Sequence, residues 1–312
     1  VAGGRAAVDV TGWLLRHTPP RPMVVTAPGG TSARVAVERA VLARGWRPAL
    51  NPARTNLLVV AGHAPWLEPY LRRVWDSIPA PRVRVDVPEA LDERLLDDAL
   101  AALRDPVRQR THHTEPVEDV FMADRAPDRD GLTLDELHVP LGPVLAYWPA
   151  GLIVHTRLQG DVVTAATVEV AGAGTATGDA FWSGADPVAR RLDACGRLLA
   201  LAGWTDQAVV AQRLRDAVLD GRPADGLARF TARVRRSRTL RWLLAGVGHV
   251  TDGPFAGDAL TRLYGWLDGT GPPPDTRWAL DHLPELLAGT ELANARLVVA
   301  SLDPDLEPSH HG

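Results

Sequence analysis

Five stretches of this sequence combine residue types that could do chemistry. Pro28-Gly29-Gly30-Thr31 follows an apolar run and opens a helical one, the setting in which backbone N–H groups cradle a phosphate. Gly62-His63 ends a second apolar run. His112, His113, Glu115, Glu118 and Asp119 are clustered and are all metal-ligating types, but their spacing fits no metal motif, and they read as a solvated connector. In "LGPVLAYWPAGLIVHTRLQGDVV", Tyr147 and Trp148 stand at the tip of a loop leading into a hairpin, with His155 on its first strand. Cys195 is the only cysteine and sits mid-helix with no nucleophile motif around it, so it reads as a packed side chain.

The glycine loop limits its own chemistry. It lacks the Gly-Lys-Ser/Thr ending of a P-loop and the Gly-x-Gly-x-x-Gly pattern of a dinucleotide site. A tight turn is the simpler reading, with an anion-binding or FMN-binding module on Gly29, Gly30 and Thr31 kept as a separate class, and His63 reads as a surface histidine.

Alternation of strands and helices positions these loops. Met23–Ala27, "TNLLVVAGH" and "RVRVDV" read as three strands. Helices follow each, one capped by Thr31 or Ser32 and running to about Ala43, one in "APWLEPYLRRVWDSIP", and one in "PEALDERLLDDALAALRD" with Pro88 at its start. The pattern predicts an α/β domain over 1–105 with a flavodoxin-like parallel sheet, in which ligands would sit beyond the strands' carboxyl ends. Residues 106–137 are polar and weakly periodic and read as a linker. An α+β, mostly helical domain over 138–312 opens with a β-hairpin around Gln159-Gly160-Asp161. Its helices start at Asp186-Pro187 and at Thr205-Asp206, and a third, "GLARFTARVRRSRTLRWLLAGVG", is rich in arginine. That helix reads as solvated and paired with acidic neighbours, against an RNA or anionic-lipid patch.

Composition narrows the classes further. The net charge of -4 argues against a nucleic-acid partner. All 34 basic residues are arginine, and isoleucine occurs only at Ile78 and Ile153, a signature of a GC-rich genome rather than of function. One cysteine cannot form an intrachain disulfide or hold an iron–sulfur cluster. No apolar run approaches the roughly 20 residues that span a bilayer, and no signal peptide is evident, so the expected location is cytoplasmic, at most peripheral to the inner face of the membrane through partners.

Several segments, in order, resemble two adjacent subunits of respiratory complex I, relatives of the nickel–iron hydrogenase subunits. "TNLLVVAGHAPWLEPYLRRVWDSIPAPRVRVDV" is similar to the iron–sulfur B-type subunit, with Leu71, Arg72, Val74, Trp75, Asp76, Ile78 and Pro79 on that family's pattern. The hairpin, "RRSRTLRWLLAGVG", and the C-terminal "LPELLAGTELANARLVVASLDPDLEP", with Ser301, Asp303 and Pro304 matching a Ser-x-Asp-Pro phrase, are similar to the quinone-pocket D-type subunit. The departures concern the chemistry. All four cysteine ligands of the B-type cluster are missing, and Pro28-Gly29-Gly30 stands where the Cys-Cys pair would be. Val144 to Ala150 replace the polar loop that meets the quinone, and its histidine has no counterpart. The Cys-x-x-Cys pairs of the hydrogenase large subunit are also absent.

The resemblance therefore implies a cofactor-less B–D fusion acting as a structural or accessory subunit, with protein partners from a complex I-like or hydrogenase-like assembly. It implies no catalytic residue and no metal ligand. The alternative is an NADH:quinone oxidoreductase-type subunit that binds quinone at Tyr147, Trp148 and His155 and receives electrons from a partner chain. In either case the rewritten loop is expected to pack against the first domain's strand ends.

Overall fold

Short apolar runs become strands where both faces can be covered. In the computed structural model, which describes residues 17–110, 124–127, 133–172 and 180–307, the first sheet is parallel, in the order β1 (Pro22–Thr26), β2 (Leu57–Ala61) and β3 (Val83–Val87). The central strand, β2, is buried along its whole length, as expected for a parallel sheet with helices on both faces. Helices α1 (Thr31–Ala43) and α3 (Arg94–Arg104) cover one face through Ala33, Val37, Val41 and Ala99. Helix α2 (Glu68–Asp76) covers the other through Leu71, with Leu67 and Ile78 just outside its ends.

Two helix starts differ from the sequence expectation. Pro88 does not begin α3; the chain bends through 88–93, and Asp92 accepts from the Arg94 N–H at 3.0 Å. Neither Thr31 nor Ser32 caps α1, because the N-cap position falls on Gly30, which has no side chain to offer.

The segment read as a linker also contains more structure than its composition suggests. It holds a short helix α4 (Pro106–Arg110), strand β4 (Asp124–Pro127) and the start of β5 (Thr133–Leu141). With β6 (Leu152–Gln159) and β7 (Val162–Val170) these make a four-stranded antiparallel sheet, so the second sheet begins before residue 138. The predicted hairpin is β6–β7, turned by Gly160-Asp161 with Gly160 at φ 62°. His112, His113, Glu115, Glu118 and Asp119 lie outside the described residues.

Helices α5 (Pro187–Leu201), α6 (Thr205–Leu219), α7 (Leu227–Arg236), α8 (Arg238–Leu244), α9 (Ala259–Asp268), α10 (Thr276–Leu287) and α11 (Leu292–Leu302) complete the second half. Asp186 caps α5 as expected, accepting from Val188 N–H at 2.7 Å with Pro187 at the first helical position. The arginine-rich segment is two helices rather than one, broken where Ser237 accepts from Leu240 N–H and starts α8. Leu152, Val154, Leu158 and Val163 of the sheet share one core with Leu192, Leu198 and Leu199 of α5, Leu283 and Leu287 of α10, and Val298 and Val299 of α11.

Between β5 and β6, residues 142–151 leave the second half and enter the first. Val144 and Ala146 are buried in the same cluster as Met23, Val25, Leu58, Val60 and Leu67. Arg296 of α11 donates to the Ala146 carbonyl at 2.8 Å and holds the loop from the other side. Apolar residues at these positions are what lets the loop act as a plug: a polar tip here would be buried without partners.

Candidate functional site at the junction of the two halves

The glycine loop after β1 is shaped by backbone packing. A Cβ on Gly30 would lie 2.3 Å from the Ala61 carbonyl oxygen, and one on Gly62 would lie 2.8 Å from Gly30 Cα. The loops after β1 and β2 therefore touch backbone to backbone, and glycine is required for that contact whether or not a ligand binds.

The start of α1 is then completed from the far end of the chain. Glu307 Oε1 accepts from the Thr31 N–H at 2.9 Å, and Glu307 Oε2 accepts from the Phe181 N–H at 3.1 Å. A carboxylate thus occupies the anion position at this helix N-terminus, favoured by the helix dipole and by the orphan N–H groups of the first turn. Glu307 itself is buried.

One turn further along, α1 presents Arg34 and Glu38 to the second half. Arg34 donates to Asp193 of α5 with both terminal nitrogens, at 3.0 and 2.9 Å, and to Glu38 at 3.0 Å. Arg215 of α6, fully buried, reaches Asp193 at 2.7 Å and is held by Glu38 and Asp216 as well. Arg197 pairs with Asp193 at 3.2 Å and with Asp303, while Arg190 reaches Asp305 at 3.1 Å. Burial opposes the charge on Asp193, but Arg34, Arg197 and Arg215 outweigh it and hold its carboxyl far below the usual range. Burial likewise works against the Arg34 and Arg215 charges, and the carboxylates around them win, so both guanidiniums hold their protons more tightly than usual. Asp303 goes the other way: burial raises its carboxyl more than Arg197 and Arg190 lower it.

Tyr147 and Trp148 lie at this junction. Trp148 is 5% exposed and donates from its indole nitrogen to the Leu152 carbonyl at 2.8 Å. Tyr147 adopts φ 57°, unusual for a residue with a side chain, and packs against both cores. Burial pushes its phenol well above the ordinary range, with Gln212 among its neighbours at the cavity. The cavity that remains, lined by Thr31, Arg34, Glu38, Tyr147, Trp148 and Gln212 among others, measures about 50 Å3. That admits a few waters at roughly 10–15 Å3 each, against the roughly 300–1,000 Å3 of ligand pockets. Carboxylates outnumber guanidiniums around it, so a further anion gains nothing from the local charge.

Of the residues singled out in the sequence, Thr31, Tyr147 and Trp148 line this cavity; Gly30 immediately precedes Thr31, and Gly29 is exposed. His155 does not line it: it sits on the exposed face of β6, with Nε2 2.8 Å from Glu169. His63 is exposed beside the glycine loops. Cys195 is buried within α5, where desolvation pushes its thiol up and away from reactivity. The residues at the strand ends offer no thiolate and do not fit an iron–sulfur cluster. Among the described residues no group of three or more His, Cys, Asp or Glu could hold a metal ion, and no helix is long and apolar enough to cross a membrane.

Sequence reading missed most of the charged residues that build the junction, Arg34, Glu38, Asp193, Arg215 and Glu307, and singled out Asp303 only through its Ser-x-Asp-Pro phrase. A signal was present for some of them. Arg34/Glu38 and Asp193/Arg197 are i,i+4 pairs inside helices whose other positions are mostly Ala, Val and Leu, which marks charges on faces that must be buried. Comparison of the chain with protein-family models, with curated proteins and with solved structures finds no match.

Proposed function

We propose that this chain is a structural or accessory subunit of a complex I-like or hydrogenase-like redox assembly, a B–D fusion that holds partner subunits together without carrying electrons itself. The observation that carries the reading is Glu307. Its carboxylate joins the Thr31 N–H, beyond the end of β1, to the Phe181 N–H of the second half, so the chain fills with its own side chain the position where a relative would present chemistry. The ion cluster and the apolar loop bearing Val144 and Ala146 support it by joining the two halves through buried contacts. Such a junction suits a rigid scaffold, since the two-pronged Arg34–Asp193 pair and the buried apolar loop fix one geometry of the halves.

Affinity purification from the native source, with identification of the co-purifying chains and metal analysis of the complex and of the isolated subunit, tests this. The expected result is co-purification with complex I-like or hydrogenase-like subunits. Near-stoichiometric iron and acid-labile sulfide on the isolated chain would overturn it, as would isolation of the native protein with no partner.

The Tyr147 hydroxyl at the cavity favours one second reading, in which a quinone head group enters between the halves and takes a hydrogen bond from it. The cleft must then open well beyond its present 50 Å3. Saturable quenching of Trp148 fluorescence by a quinone analogue in the intact complex is the expected sign, and its absence sinks this alternative.

A further inference from the structure

We propose that the outer face of α8, with Arg236 just before it, docks this protein directly onto an anionic phospholipid surface. The proposal stands apart from the junction and from the reading above. Trp242 is 82% exposed, more than any other large hydrophobic side chain of the described residues. Arg238, Arg241 and Trp242 follow the i, i+3, i+4 spacing that puts them on one helix face, and all three are exposed.

The arginines around this indole lack the counter-charge that other arginines of the molecule have. Arg34, Arg39, Arg44, Arg84, Arg197 and Arg215 each have a carboxylate partner. Even within the arginine-rich segment, Arg235 pairs with Asp268 and stacks on Tyr264, and Arg233 lies over Trp204. Arg236, Arg238 and Arg241 make no ion pair among the described residues, and Arg236 bonds only the Ala232 carbonyl. In a chain of net charge -4, three cations without an ion pair among the described residues thus stand beside the most exposed aromatic ring of those residues.

That combination matches the headgroup zone of a membrane. The indole has an apolar body and a polar N–H, and it partitions to the interface, while arginines gain from the negative surface potential. A protein partner fits less well, because a tryptophan anchor in a protein interface is ringed by other packing side chains. Here the exposed neighbours are Arg238, Thr239, Arg241 and Ala245. A single-stranded nucleic acid would call for several stacking aromatics along a groove, and this face has one.

The test uses the full chain and large unilamellar vesicles, either phosphatidylcholine alone or phosphatidylcholine with phosphatidylglycerol, in a sedimentation assay. Binding is expected to the anionic vesicles only, weakening as salt is raised. Arg238→Gln/Arg241→Gln should lower the partition coefficient about 25-fold, at about fivefold for each arginine. Trp242→Ala should lower it several-fold and remove the quenching by brominated lipid that the wild type shows. Both variants should melt as the wild type does, since the altered side chains are exposed. No sedimentation with anionic vesicles at low salt overturns the proposal. So does binding that the variants leave unchanged, or retention on polyuridylate or polyglutamate without vesicle binding.

Discussion

Arg34 of α1 and Asp193 of α5 form a two-pronged ion pair, at 3.0 and 2.9 Å, across 159 residues of sequence and across the junction between the halves. Planar guanidinium against carboxylate is the strongest geometry that side chains offer, and here it is shielded from water. Asp193 also serves Arg197 and Arg215, so three cations converge on one carboxylate.

Removing that carboxylate should be costly. Asp193→Asn leaves Arg34, Arg197 and Arg215 facing one another in a buried site, and a loss of about 3–5 kcal/mol in unfolding free energy is expected. Urea denaturation with an unchanged m-value measures it. The apolar double variant Arg34→Met/Asp193→Leu should recover part of the loss by removing buried charges from both sides. A shift under about 1 kcal/mol for Asp193→Asn would mean that water reaches the cluster.

The same residue sets the acid limb of stability. The Asp193 carboxyl is held far below its unfolded value of about 3.9. Its contribution is therefore present above that pH and lost as the pH falls below it, where the unfolded chain takes up the proton first. The wild type should lose stability steeply below about pH 4, and Asp193→Asn should show a shallower slope there. Melting temperatures from pH 2 to pH 7 check the sign.

Glu307→Ala orphans the Thr31 and Phe181 N–H groups and should cost about 1–3 kcal/mol. A small carboxylate added to this variant should restore part of the melting temperature, since the helix N-terminus still favours an anion. Acetate that stabilises the variant no more than the wild type would show that the side chain matters only through packing.

Gly30→Ala tests whether the glycine loop is structural. Its Cβ would meet the Ala61 carbonyl oxygen at 2.3 Å, a backbone atom that cannot swing away. Destabilisation of about 1–3 kcal/mol or more is expected, with no ligand needed to see it. An alanine tolerated at wild-type stability would contradict the close approach of the two loops.

Trp148→Phe keeps the ring but loses the bond to the Leu152 carbonyl, at a cost of about 1–2 kcal/mol, whereas Trp148→Ala should cost about 3–5 kcal/mol through the cavity left behind. Equal effects of the two would assign the whole contribution to the hydrogen bond.

What the sequence determined is the local part. Unbroken apolar runs at Leu57–Ala61, helical spacing in 187–201 and the Gly160-Asp161 turn depend on residues a few positions apart, and each formed where its pattern lies. Side-chain period and turn chemistry are local properties, so they survive in one dimension. Even the break at Ser237 has a local cause, a serine free to cap the next helix. The tertiary structure alone decided that Glu307 completes a helix beginning 276 residues earlier, that Arg34 and Asp193 lose their water together, and that His155 faces away from Tyr147. Local spacing marks some of these charges, as in Arg34/Glu38 and Asp193/Arg197, but not their distant partners, and burial becomes tolerable only once such a partner is in place. The loop bearing Tyr147 and Trp148 shows both sides: its apolar character was written in the sequence, and the core it enters was set by how the two halves meet.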